Sequence, residues 1–320
     1  MAFISNCTAD VIAKAAQALK DGHLVAFPTE TVYGLGADSQ SAEAVAKIYK
    51  AKGRPADHPL IVHVSSMDAL GDWASDVPEY AIALAREFWP GPMTLVVKRS
   101  ELAKDFVTGG QGTVGIRVPE HAVALALLQE FERIGGRGVA APSANRFGAV
   151  SPTTASAVED ELAAYLSADD LVLDGGASQV GVESTIIDCT ADLPRVLRLG
   201  AVTGEMIETV TGLKPAVLEA KSEIRVSGSL ESHYAPKAKV ILNGIAQPGD
   251  GLVAMADVET PAAVIRLSAP RSIEEYATQL YSSLRAADAQ DLKKVVAIEP
   301  QGSGLAEAIR DRLARAAHGA

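Results

Sequence analysis

Short apolar runs alternate with amphipathic stretches along this chain, and their spacing predicts an α/β protein. Ala9 to Lys20 has a helical pattern, with a cap near Thr8 and an end at Gly22, and the apolar run Leu24 to Phe27 predicts a buried strand. Further helices are predicted over 42–51, 79–89, 123–133 and 154–166, and further strands over 60–64, 93–97, 114–118, 139–141, 171–173, 184–188 and 195–199. This succession is typical of a twisted mixed sheet covered by helices.

The pattern is interrupted after residue 213 and resumes after Pro236. Residues 214–234 lack a clear period and are rich in Ser, Gly, Lys and Glu, which predicts an ordered linker. Strands are then predicted over 240–242, 252–255, 263–267 and 294–298, and helices over 273–287 and 305–317. The sequence therefore predicts a large α/β domain over 1–213, a linker over 214–237 and a smaller Rossmann-like α/β domain over 238–320.

Composition narrows the class of protein. With 48% hydrophobic and 22% charged residues, the chain has enough apolar side chains for a large core. Its net charge of −11 argues against non-specific binding to a nucleic-acid backbone. Cys7 and Cys189 cannot form a disulfide framework or a Cys-x-x-Cys zinc site, which favours free thiols in a reducing compartment. No signal-like segment and no apolar run of membrane-spanning length is present. We therefore expect a cytoplasmic protein without a membrane contact.

The run Phe27-Pro28-Thr29-Glu30-Thr31-Val32-Tyr33-Gly34-Leu35-Gly36 is the first candidate for chemistry. It concentrates hydroxyl groups just beyond the end of a predicted buried strand, where α/β proteins commonly build pockets for small molecules. Pro and Gly indicate a turn that two glycines close. The alternative is an ordinary polar loop between a strand and the next element.

Basic residues close the second predicted helix, where Lys52-Gly53-Arg54 could clamp a polyphosphate. The alternative is a solvent-facing helix end whose charges suit the helix dipole. Ser143 and Asn145 follow a strand and could bind an anionic ligand, whereas Ser151 could simply cap the next helix.

Two polar residues lie in otherwise apolar predicted strands. Arg117 is costly to bury unless it meets an anion, and a lone strand histidine such as His63 is more often a core residue than a ligand. The sequence contains no P-loop, no Gly-x-Ser-x-Gly elbow and no His-Glu-x-x-His motif. Common signatures of phosphate-loop enzymes, serine hydrolases and zinc proteases are thus missing.

Seven motifs in order closely resemble those of the Sua5/YrdC/YwlC family of L-threonylcarbamoyladenylate synthases, over about residues 9–200. The matching segments are 28–35, 52–55, 59–63, 89–94, 117–119, 141–145 and 183–185. The segment His233-Tyr234-Ala235-Pro236 and the extra C-terminal domain resemble the long Sua5 form. The resemblance implies a YrdC-like first domain and a Sua5-type second domain.

The resemblance also implies an activity. Such nucleotidyltransferases convert L-threonine, bicarbonate and ATP to threonylcarbamoyl-AMP and pyrophosphate, the first step of N6-threonylcarbamoyladenosine (t6A37) formation in tRNA. A separate transferase complex receives the product. Mg²⁺ is expected to arrive on the triphosphate, because no dedicated acidic cage is visible. Contact with tRNA or double-stranded RNA is expected as a secondary property.

The resemblance assigns candidate residues to each substrate. For L-threonine they are Thr31, His63, Arg117 and Ser184. For the ATP phosphates, and hence for catalysis, they are Lys52, Arg54, Ser143 and Asn145. The nucleotide site is completed by His58, Ala141, Ser151, Arg198 and Tyr234.

Three alternatives accompany this interpretation. One is a carbamoyltransferase of the hydrogenase-maturation type, whose additional acylphosphatase-like and Cys-rich zinc modules this sequence lacks. Another is a non-enzymatic RNA-binding module, which the acidic net charge and few aromatics disfavour. For the C-terminal part, we expect a linker that closes over the nucleotide site through His233 and Tyr234; the alternative is a passive stabilising domain.

Overall fold

The computed structural model describes residues 3–216, 224–228 and 234–318, with side chains from residue 7 onward. Its helices are α1 Ala9–Lys20, α2 Ala42–Lys52, α3 Leu70–Trp73, α4 Glu79–Phe88, α5 Asp105–Thr108, α6 Ala122–Arg133, α7 Ala155–Leu162, α8 Gly204–Thr211, α9 Ile273–Ala289 and α10 Leu305–His318. Its strands are β1 Phe3–Asn6, β2 Val25–Phe27, β3 Gly34–Asp38, β4 Ile61–His63, β5 Ala74–Asp76, β6 Met93–Arg99, β7 Thr113–Arg117, β8 Val139–Ala140, β9 Leu171–Asp174, β10 Thr185–Asp188, β11 Arg195–Arg198, β12 Lys239–Leu242, β13 Gly251–Val253, β14 Ile265–Ser268 and β15 Lys294–Ala297.

Two sheets organise the described residues. The large sheet is mixed, in the order β1-β9-β2-β3-β8-β4-β7-β6-β10-β11, with β5 paired to β6 outside this row. The small sheet has the order β12-β15-β13-β14 and is entirely parallel. The predicted fold class, a twisted mixed-sheet domain followed by a smaller Rossmann-like domain, is confirmed.

Amphipathic helices cover the large sheet as their sequences predict. Helix α1 buries Ile12, Ala15, Ala16 and Leu19, and the Thr8 hydroxyl accepts a hydrogen bond from the Val11 amide at the predicted cap. Apolar positions recurring every three to four residues produce this buried stripe, whose removal from water stabilises the packing.

Six elements of the structure were not predicted from the sequence, namely α3, α5, α8, β1, β3 and β5, and β3 lies in the glycine-rich run after β2. Gly34–Asp38 is a fully buried strand and not the closing part of a turn. A Cβ at Gly36 would lie 2.7 Å from Val139 Cγ1 and 2.9 Å from Phe27 Cε1, so the neighbouring chains approach too closely for any side chain. Glycine is a weak strand former, and tertiary packing overrides that preference here.

The second domain packs directly on the first. One apolar cluster joins Val32, Val150 and Val182 of the large domain to Tyr281 and Leu284 on α9. In the linker, Ile224 and Val226 pack against the large sheet near Val96, Ile186 and Leu197. His233 lies outside the described residues. Among the helices of the described ranges, none is both long and apolar enough to cross a bilayer.

Candidate active site

A cleft of about 520 Å³ opens at one edge of the large sheet, where several strands end and the linker crosses. Residues that the sequence nominates from eight separate segments meet on its walls: Thr31, Arg54, His63, Arg117, Ala141, Ser143, Ser184, Arg198 and Tyr234. The parallel pairing of β4 with β7 places His63 directly beside Arg117. The fold thus converts scattered polar residues into one site, as strand ends commonly do in α/β proteins.

Arg117 is buried and held by a carboxylate behind the cleft wall. Its Nη2 lies 2.5 Å from Glu30 Oε1 and 2.9 Å from Thr31 Oγ1, and its Nε donates to the Gly91 carbonyl at 3.3 Å. The other Glu30 oxygen accepts from the Glu120 amide at 3.0 Å. This arrangement fixes the guanidinium and the Thr31 hydroxyl at the cleft wall.

His63 is a neutral imidazole in the wall of the cleft. It is 4% exposed and meets the Phe27 ring edge-on at 5.8 Å. Burial and the adjacent Arg117 charge lower the pKa of His63 to about 3. Its Nδ1 is buried and has no hydrogen-bond partner in the part of the chain that the structure describes. A neutral ring with an unused nitrogen suits a hydrogen bond to a ligand.

Arg54 carries donor capacity that the protein does not use. Its Nη2 donates to the Pro59 carbonyl and to Ser227 Oγ, both at 3.0 Å. Its buried Nε has no partner within the described ranges. Burial lowers the pKa of Arg54 to about 10, so the guanidinium stays charged at neutral pH. A buried cation with an unpaired donor favours an anionic ligand.

Arg198 and Ser184 form the opposite wall. Arg198 Nε and Nη2 donate to the Ser184 carbonyl at 3.0 and 2.9 Å, and Nη2 also donates to Ser184 Oγ at 3.0 Å. Arg198 Nη1 donates to the Ser227 carbonyl at 3.0 Å. The Ser184 hydroxyl lies 2.7 Å from that of Thr94. Ser227 of the linker therefore contacts two guanidiniums of the cleft.

Four nominated residues lie outside the cleft walls: Lys52, His58, Asn145 and Ser151. Lys52 Nζ is buried and donates to the carbonyls of Ser143 and Asn145, and burial lowers its pKa. The Asn145 amide donates to the Arg146 and Ala149 carbonyls. These contacts hold the 143–149 loop in shape. His58 packs edge-on against Phe147 at 5.4 Å.

Sequence reasoning missed the carboxylate of the cleft, Glu183. One of its oxygens accepts from Ser151 Oγ at 2.6 Å, and the other accepts from Tyr281 OH and Arg312 Nε, both at 2.8 Å. Burial alone raises the pKa of Glu183, but Arg312, Arg198 and the hydrogen bonds outweigh it and lower the pKa to about 2. The Glu183-Ser184-Thr185 motif could have pointed to Glu183, whereas nothing in the sequence connects it to Arg312.

Tyr234 connects the linker to this group. It is buried with φ of 62°, its ring stacks on Tyr281 at 5.6 Å, and the Arg312 guanidinium lies 5.3 Å from the ring centre. The predicted cleft position of Tyr234 therefore has a structural basis in the second domain.

The assembled site presents three guanidiniums, a neutral imidazole and several hydroxyls to one cleft. Such a set binds a multiply charged anion together with a small polar molecule. In the described residues no group of three His, Cys, Asp or Glu side chains could hold a metal ion. The chemistry that fits is alignment of two ligands with stabilisation of negative charge.

Known proteins resemble this chain over most of its length. Residues 17–200 match the Sua5/YciO/YrdC family model, described as "Telomere recombination", and residues 202–318 match the model described as "Threonylcarbamoyl-AMP synthase, C-terminal domain". The chain is 38% identical to threonylcarbamoyl-AMP synthases of Pyrococcus abyssi and Bacillus subtilis, over 94% and 96% of this chain and 92% and 93% of theirs. The crystal structure of P. abyssi Sua5 complexed with L-threonine superposes with a TM-score of 0.90 at 36% identity, and covers 99% of this chain and 98% of that one.

Proposed function

Because the chain belongs to the Sua5/YrdC family of threonylcarbamoyl-AMP synthases, we propose that it makes L-threonylcarbamoyl-AMP and pyrophosphate from L-threonine, bicarbonate and ATP. The observation that carries the proposal is the convergence of Arg54, Arg117 and Arg198 on one cleft in a protein of net charge −11. The product is a nucleotidyl intermediate for t6A37 formation in tRNA, and a separate transferase complex receives it.

The reaction needs positioned reactants more than a protein nucleophile. The threonine nitrogen attacks the carbon of bicarbonate, with loss of water, to give a carbamate. A carbamate oxygen then attacks the α-phosphorus of ATP, and pyrophosphate leaves. Alignment of the two reactants supplies much of the rate, and guanidiniums stabilise charge on the phosphates.

Arg54 and Arg198 are the side chains that we assign to the ATP phosphates. Both are buried, both line the cleft, and both donate to Ser227, whose oxygen atoms a phosphate could replace. Ser143 and Ala141 line the same wall. Lys52, Asn145 and Ser151 support this site by shaping its loops, and we assign His58 to its rim.

Thr31, His63, Arg117 and Ser184 are the side chains that we assign to L-threonine. Arg117 suits the amino-acid carboxylate, and the hydroxyls and the neutral His63 ring suit the amine and side chain. The P. abyssi relative was solved with L-threonine bound, which supports this ligand for the related cleft. Mg²⁺ enters with ATP as part of the substrate, because oxygen-rich phosphates are its preferred ligands.

The linker is proposed to close this cleft during turnover. Tyr234 lines the cleft, and Ser227 is bonded to two of its guanidiniums. A closed linker excludes water and protects a labile carbamate. Ser227→Gly removes the hydroxyl that accepts from Arg54. We expect the variant to show faster proteolysis within 214–237, and ATP to protect the wild-type linker more strongly than the variant.

Pyrophosphate release tests the proposed activity. Full-length protein is incubated with MgATP, and L-threonine or bicarbonate is left out in turn. We expect release that requires both. Release that ignores threonine, or no release from a folded protein that binds ATP, would contradict the synthase assignment.

Matched arginine variants test the assignment of the phosphate site. Arg198→Met should lower kcat/KM for ATP by about 30-fold to 1,000-fold, since loss of one charge-stabilising donor costs about 2–4 kcal/mol. Arg195→Met is the control, because Arg195 lies on the same strand but pairs with Asp188 away from the cleft. An equal loss in both variants would remove Arg198 from the site.

The remaining proposals concern location and RNA. We place the enzyme in the cytoplasm, with its two cysteines as free thiols. Contact with tRNA or double-stranded RNA is proposed as a secondary property. Steeply salt-dependent RNA binding would support it. The match to a threonylcarbamoyl-AMP synthase C-terminal domain favours the synthase over a hydrogenase-maturation carbamoyltransferase.

A further inference from the structure

Glu183 creates an electrostatic problem for the proposed function. It is the only carboxylate among the described residues of the cleft wall, and it is 5% exposed. An unpaired buried carboxylate repels an incoming triphosphate and attracts the nearest guanidinium. Among the guanidiniums that line the cleft, Arg198 is the one whose charge acts on Glu183.

Arg312, on α10 of the second domain, forms an ion pair with the Glu183 carboxylate. Its side chain is fully buried, and its three nitrogen positions point to three partners. Nε donates to Glu183 at 2.8 Å, Nη1 to Asp311 at 2.6 Å and Nη2 to the Leu199 carbonyl at 2.7 Å. It thus bridges the end of β11 and the cleft carboxylate.

Tyr281 reinforces the same arrangement. Its hydroxyl donates to the Glu183 oxygen that Arg312 also contacts, at 2.8 Å. Burial and the neighbouring Glu183 charge raise the pKa of Tyr281 well above its usual value, so it remains a donor. Ser151 donates to the other oxygen. These contacts occupy both oxygens of the carboxylate, while Arg198 donates to Ser184 and Ser227.

We propose that Arg312 is a positioning residue of the nucleotide site: by holding Glu183, it leaves the Arg198 guanidinium available to the phosphates of ATP. This inference rests on the proposed function. It gives the second domain a specific part in ATP binding, through a helix that does not line the cleft. When Arg312 is lost, Glu183 pairs with Arg198 and cancels its charge.

Binding measurements on full-length variants test this proposal. Calorimetry measures two dissociation constants for each variant. One is for the Mg²⁺ complex of a non-hydrolysable ATP analogue, and the other is for L-threonine. We expect Arg312→Met to weaken nucleotide binding by about tenfold or more, in the range of couplings between contacting charged groups, and to change threonine binding less than about threefold. The double variant Arg312→Met with Glu183→Gln should recover nucleotide binding, because no free carboxylate remains.

Two further variants separate positioning from folding. Arg310→Met is the matched control: Arg310 lies on α10 and donates to the Pro300 and Gly302 carbonyls within the second domain, so nucleotide binding should be unchanged. Tyr281→Phe removes one donor to Glu183 at little risk to folding, and should weaken nucleotide binding by about threefold.

Three results would overturn the proposal. They are wild-type nucleotide affinity in Arg312→Met, a double variant that binds as weakly as Arg312→Met, and an equal loss in Arg310→Met. If Arg312→Met does not fold, Tyr281→Phe decides the question, and wild-type nucleotide affinity in that variant overturns the proposal. Pyrophosphate release by the wild type is scored separately, so that a failed synthase assignment remains distinct from a failed role for Arg312.

Discussion

Replacement of His63 by Gln tests the neutral state of the imidazole in the cleft wall. In the folded protein the pKa of His63 is lowered to about 3, whereas the unfolded chain has the ordinary value of 6.5. Between these two pH values the unfolded state binds a proton that the folded state does not. Stability therefore falls as the pH drops below about 6.5, and the loss continues until about pH 3.

The size of the effect follows from the two pKa values. At pH 5, which is about 1.5 units below the pKa of His63 in the unfolded chain, protonation stabilises the unfolded state. At 1.36 kcal/mol per unit, this lowers the free energy of unfolding by about 2 kcal/mol. At pH 7 the same contribution is close to zero. The wild type should thus lose about 2 kcal/mol more stability between pH 7 and pH 5 than His63→Gln.

Tryptophan fluorescence during urea unfolding measures this difference in the relevant domain. The two tryptophans, Trp73 and Trp89, are both buried in the large domain that contains His63. His318→Gln serves as the control for a histidine substitution, since His318 is exposed at the end of α10. Equal pH dependence in the wild type and His63→Gln would refute the buried, neutral assignment of His63.

Three other substitutions have expected outcomes in thermal or urea unfolding. Gly36→Ala should destabilise the large domain by about 1–3 kcal/mol through overpacking against Val139, whereas Gly71→Ala, with open space around it, should not; similar losses would contradict the close approach. Arg117→Met should lower the free energy of unfolding by about 3–5 kcal/mol, because Glu30 is left buried without its ion-pair partner. Adding Glu30→Gln should recover part of this stability, and no recovery would argue against the Arg117–Glu30 ion pair. Lys52→Met should lower the free energy of unfolding by about 1.5–3 kcal/mol, because two hydrogen bonds to backbone carbonyls are lost. An unchanged unfolding midpoint would refute this expectation.

Local pattern predicted most of the secondary structure because the relevant physics is local. Helix α1 could be recognised from its apolar spacing and its Thr8 cap, and the short apolar run of β2 from its composition. Strand β3 could not, because glycines give no strand preference. This segment forms a strand because it packs closely against Phe27 and Val139, which lie on other strands.

For the candidate site, too, some features could be predicted from the sequence and others depended on the tertiary structure. The sequence by itself determined which side chains could carry the chemistry: Arg54 came from the basic end of a helix, Arg117 from a charge within an apolar strand, and His63 from the resemblance to the synthase family. Only the tertiary structure decided that Lys52 supports a loop from behind the cleft. Only the tertiary structure, likewise, gave Glu183 a partner 129 residues away in Arg312. A buried charge is governed by the groups that surround it in space, and a linear sequence does not state which groups those are.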